Sequence, residues 1–114
     1  MATHEIVDQA KWIPIPSTWP CRYLAVHLES QTSADTATID LFGSSDGGGT
    51  SVVLRRADTL ADAANVGLTC LARKPSASSY YDTGIVVALE GCSAIYINET
   101  GAPSGTNRYV LAPV

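Results

Sequence analysis

Chemistry needs side chains that titrate or ligate, and here they are few. The chain holds two histidines, His4 near its start and His27 in its body. His27 stands two residues before Glu29 in an alternating run, so both are expected on one face of a strand. A His-x-Glu pair can donate two metal ligands, but a histidine-rich metal site needs partners that this chain lacks. The pair is therefore expected to form a solvent-facing polar stripe. No serine sits in a Gly-x-Ser-x-Gly elbow, and one mid-chain histidine is a poor basis for a nucleophilic triad. The carboxylates Asp35, Asp40, Asp46, Asp58, Asp62 and Asp82 are scattered along the chain. Asp46 lies in the glycine-rich stretch 43–49, where it is expected to hydrogen-bond its own turn, calcium binding being the alternative. That glycine run follows a strand without opening a helix, so it does not read as a phosphate cradle. No catalytic residue, cofactor or metal is expected, and the chain does not read as an enzyme.

Two further groups could bind rather than react. Arg55-Arg56 and Arg73-Lys74 are basic pairs, but adjacent residues of a strand point to opposite faces, which favours a solvated sheet over an anion site. Tyr80 and Tyr81 stand in a polar stretch, where they are expected to contact a partner or a sugar, or to pack over one end of the fold. The three cysteines, Cys21, Cys70 and Cys92, are odd in number and far apart, with no Cys-x-x-Cys spacing. They are expected to be reduced thiols of a protein assembled in a reducing compartment.

Composition bounds the rest. The sequence has 114 residues, 46% of them apolar and 16% charged, with a formal net charge of −4. A disordered chain would carry fewer apolar residues, and a general nucleic-acid binder would need a basic excess. No apolar run approaches the ~20 residues that span a bilayer. The polar segment 1–9 does not read as a signal peptide. One domain is expected, with neither nucleic acid nor membrane as partner.

The positioning elements follow from a period of two. Residues 22–29 set Leu24, Val26 and Leu28 on one face against Tyr23, Ala25 and His27; residues 36–42 set Ala37, Ile39 and Leu41 against Thr36, Thr38 and Asp40. Further strands are expected over 51–56, 84–89, 93–98 and 108–112, with a less certain one over 66–72. Glycine-rich stretches at 43–49 and 101–107 read as loops. Residues 58–64 read as one short helix with Asp58 as its cap. The expected fold is all-β, an antiparallel β-sandwich or jelly roll of seven to nine short strands, with Leu24, Val26, Leu28, Ile39, Leu41, Val87 and Ile95 inside. Residues 1–20 form an extended N-terminal segment, and 21–114 the sandwich domain. The segment carries Trp12, Ile13, Ile15 and Trp19 among Pro14, Pro16 and Pro20, and reads either as an edge strand or as an arm docking on a neighbour.

The stretch 37–47, a strand ending in Gly43-Ser44-Ser45-Asp46-Gly47, resembles the Gly-Ser-x-Asp-Gly hairpin of β-sandwich proteins in tailed-phage virions and of discoidin-type galactose-binding domains. Discoidin-type domains carry a tryptophan soon after the Asp-Gly and a disulfide clamp at their ends. This chain has Ser51-Val52-Val53 and no terminal cysteine pair, so the phage proteins are the better match. That resemblance implies a capsid decoration or cement protein of the virion, assembled in the bacterial cytoplasm, with the major capsid protein or other virion proteins as partners. Self-association, a trimer being favoured, is expected separately because a small sandwich leaves edge strands that a neighbour can pair, the alternative being a monomer whose own loops cover them. The resemblance adds that a trimer would match local three-fold positions of a shell. The alternative function is a carbohydrate- or receptor-binding module of a tail or fibre. Candidate partner-binding residues are Trp12, Ile13, Ile15, Trp19, Tyr80 and Tyr81.

Overall fold

The structure, a computed structural model, describes residues 5–19, 22–29, 36–57, 60–63, 68–73, 85–89, 91–101 and 107–114. These residues form ten strands and no helix: β1 (Glu5–Asp8), β2 (Trp12–Pro14), β3 (Tyr23–Glu29), β4 (Thr36–Ser44), β5 (Ser51–Val53), β6 (Arg55–Arg56), β7 (Leu68–Arg73), β8 (Ile85–Ala88), β9 (Ala94–Gly101) and β10 (Arg108–Pro113). One sheet runs β1-β10-β3-β8-β6, the other β2-β9-β4, with β5 and β7 sharing the far side of β4. Among the described strands every pairing is antiparallel except the short β3–β7 contact at Leu28–Ala72 and Glu29–Arg73. The expected β-sandwich is what these strands build; a jelly-roll order is not established by them.

Three crossings tie the sheets together, and each has a local cause. After β1, Ala10 takes a left-handed φ of 62° and donates its N–H to Ile97 O at 2.9 Å, which turns the chain from one sheet to the other. The stretch expected as one strand over 51–56 breaks at Leu54: β5 pairs with β4 in one sheet and β6 with β8 in the other, while Leu54 itself is fully buried between them. Counted as one broken strand, the pair brings the total to nine. β7 crosses too, leaving β4 at Leu71 and joining β3 at Ala72.

The core lies between the sheets. Leu24, Val26, Leu28, Ile39, Leu41, Val87 and Ile95, expected inside, are each at most 1% exposed. Ile97, Leu111, Tyr109, Leu54 and Ile13 belong to the same cluster, so both sheets contribute their inward-phase residues. Gly43 is needed here because the chain packs tightly: a Cβ on it would lie 2.7 Å from Cys92 Sγ and 2.8 Å from Leu54 Cδ2.

Two expectations are corrected. The helix over 58–64 is absent over its described part, 60–63. Leu60 has a left-handed φ of 60°, the N–H of Arg56 bonds Ala61 O at 2.8 Å, and Asp62 bridges Arg55. Ala63 bonds Leu54 O and Leu41 N, at 2.8 and 2.9 Å, so its backbone groups are spent on strands rather than on a helical ladder. His27 is not solvent-facing: it is fully buried, as are Ala25, Val110 and Ala112 on the same face of β3 and β10. Period two correctly assigned the face, but did not reveal that this face is covered as well.

Candidate functional site

Four places on the molecule concentrate binding chemistry, and the N-terminal strands adjoin two of them. β1 pairs only with β10 and β2 only with β9 among the described strands, so the consecutive strands supply one edge to each sheet. Between these edges lies a gap of about 340 Å³ lined by Ile6, Val7, Lys11, Ile13, Pro14 and Leu111. Ile6 is 38% exposed there. Lys11 and Asp8 pair at 3.5 Å at the rim, both well exposed, so that ion pair adds little stability.

The second place is the outer face of the β2-β9-β4-β5 sheet. Register puts Trp12 opposite Tyr96, Tyr96 opposite Phe42 and Phe42 opposite Val53, one rung across four strands. Tyr96 stands edge-on to both neighbours, with centroids 5.4 Å from Trp12 and 6.4 Å from Phe42. The three rings are half-buried, and with Ser51 and Asn98 they line a depression of about 260 Å³.

The third place, the loop after β4, walls off one end of that rung. The Ser44 hydroxyl donates to Asp46 Oδ1 at 2.6 Å and accepts the Gly48 N–H at 2.9 Å, while Thr50 N–H reaches Asp46 Oδ1 at 2.9 Å. Asp46 therefore bonds its own turn, as expected. The Ser44 hydroxyl first, and the Thr50 N–H next, hold its carboxyl at about 2, below the ordinary 3.8. Gly48, at φ 120°, lies under the indole of Trp12: a Cβ there would fall 2.6 Å from Trp12 Cγ.

A fourth feature is a cleft of about 690 Å³ lined by Ile15, Trp19, Arg22, Tyr23, Leu60 and Cys92. Its thiol, Cys92, is half-buried. Among the described residues no three His, Cys, Asp or Glu side chains converge on a metal position, and no helix is long and apolar enough to cross a membrane.

Of the six candidate partner residues, Ile13 and Trp19 sit in this domain's own core at 5% and 6% exposure. Ile15 is half-buried against that core, its N–H bonded to Ser93 O at 2.8 Å. Trp12 keeps part of its ring at the surface, and Tyr80 and Tyr81 lie outside the described residues. Glu29 is not in a free polar stripe but pairs with Arg108 at 2.8 Å, directly across from it on β10. Of the basic residues, Arg55 is exposed and Arg56 half-buried, on opposite faces of β6 as alternation requires. Sequence reasoning missed Tyr96 and Phe42. Their signal was present: each is an aromatic in the outward phase of a strand whose inward phase is aliphatic. Comparison with protein-family models, with curated proteins and with solved structures finds no match to this chain.

Proposed function

We propose that this chain is a non-enzymatic structural protein of a tailed-phage virion, a decoration or cement protein that binds the outer surface of the head. The observation that carries the reading is the pair of edges β1 and β2, each with one partner among the described strands, on either side of a largely apolar gap. An exposed strand edge presents unpaired backbone groups that a neighbouring chain can extend, and the gap beside it accepts that neighbour's apolar side chains. Residues 37–47, with their virion-type Gly-Ser-x-Asp-Gly hairpin, supply the class of neighbour: the major capsid protein or another virion subunit. The same edges suit self-association, and a trimer would match the local three-fold positions of an icosahedral shell.

Purified shells that lack the protein test this reading. Added protein should co-sediment with them and raise their melting temperature as its concentration rises, by mass action. Protein that stays in the supernatant at micromolar concentrations, with shell melting unchanged, contradicts it.

A further inference from the structure

The geometry points to a second binding site, on the outer face of the β2-β9-β4 sheet, that takes one neutral pyranose ring between Trp12, Tyr96 and Phe42. This inference goes beyond the virion reading and does not depend on it. It also moves the sugar-binding alternative from Tyr80 and Tyr81 to three other aromatics.

Three observations carry it. First, the rings are in the wrong phase for a core. Ile13, Ile95, Ile97 and Leu41 face inward and are buried, whereas Trp12, Tyr96 and Phe42 alternate with them and stay half-exposed. Apolar rings clustered together and held partly in water mark a contact surface. Second, the rings are steeply inclined to one another around a shallow, open depression. Tyr96 stands at 63° to Trp12 and 73° to Phe42, and the loop carrying Gly48 packs against the indole. The depression's 260 Å³ suits a single six-membered ring better than a strand or a helix. Third, the remaining lining is polar and uncharged: the Asn98 amide and the Ser51 hydroxyl. A pyranose presents an apolar C–H face for stacking and a rim of hydroxyls that donate and accept. An aromatic floor with an amide and a hydroxyl at its edge matches both halves. With no charged side chain among the described lining residues, the site as described favours a neutral sugar over an acidic one.

Titration of the free protein with methyl glucoside, methyl galactoside and N-acetylglucosamine, followed by two-dimensional NMR, tests the site. The indole N–H of Trp12 and the side-chain amide of Asn98 should shift with one of them, while the buried indole of Trp19 stays in place. Trp12→Ala should weaken binding by about tenfold or more. Because that change removes an edge-strand residue, Asn98→Ala is the companion variant: it leaves all three rings in place and should also weaken binding. No shift at Trp12 with any of the three sugars up to tens of millimolar overturns the inference, as does undiminished binding by both variants. Shell co-sedimentation is scored separately, so loss of either result leaves the other standing.

Discussion

The phenol of Tyr109, on β10, donates a 2.7 Å hydrogen bond to Glu99 Oε1 on β9, joining the two sheets through a side chain that is itself fully buried. A buried phenol needs such a partner, and here the partner is a carboxylate at the margin of the opposite sheet. Tyr109→Phe keeps the ring and its packing but removes the donor. Chemical denaturation should show a loss of about 1–2 kcal/mol, toward the low end for a bond to a charged group because Glu99 can turn to water. An unchanged midpoint would mean the bond contributes nothing to holding the sheets together.

Gly43 and Gly48 are predicted to resist substitution for different reasons. Gly43→Ala places a methyl 2.7 Å from Cys92 Sγ and 2.8 Å from Leu54 Cδ2, inside the core, and should cost about 1–3 kcal/mol. Gly48→Ala meets both a φ of 120° and the Trp12 ring at 2.6 Å, so it should shift the Trp12 indole resonance as well as lower stability. Thermal melts and the Trp12 N–H signal check the pair. A Gly48→Ala variant with native signals would show that the loop does not pack against the indole.

Acid should loosen the loop after β4. The folded pKa of Asp46 is about 2, lower than its ordinary 3.8, so its contribution is present above that ordinary value and is lost as pH falls between the two. Amide exchange at Thr50, whose N–H bonds the Asp46 carboxylate, should speed up across that window. Asp46→Asn should remove the pH dependence; if it leaves the acid limb intact, another group is responsible.

Removing residues 1–20 should unfold the domain rather than merely release it from a partner. Ile13 and Trp19 are core residues, and β1 and β2 are the outermost described strands beside β10 and β9, whose outer edges they cover. Ile6→Lys is the informative surface change: it places a charge on an exposed position of an edge strand, which natural edges use against pairing. Light scattering of the unaltered protein should find a species near three times 12.0 kDa, and of the variant a smaller one, with the β circular-dichroism signal retained in both. A strictly 12.0 kDa unaltered protein would count against assembly in solution.

Much of this fold was legible in period two, because inward positions such as Leu24, Val26, Ile39 and Ile95 repeat at the spacing that a half-buried strand imposes. What could not be read was anything set by a third element. The burial of His27 depends on what lies over an outer sheet face, which no spacing within 22–29 encodes. The short run 58–64 has helical composition, but Ala63 is captured by Leu54 and Leu41, from distant strands. The aromatic depression was hidden for the same reason. Trp12, Tyr96 and Phe42 are 84 and 54 residues apart along the chain, counting from Trp12 to Tyr96 and from Phe42 to Tyr96, and only register brings them together.

The most direct test of the proposed function is a cryo-electron microscopy reconstruction of the tailed-phage particle that, on this proposal, the chain decorates. The account predicts density for this sandwich on the outside of the head, with residues 5–14 turned toward a neighbouring subunit and added to its contacts. A particle of which this chain is not a component would contradict it.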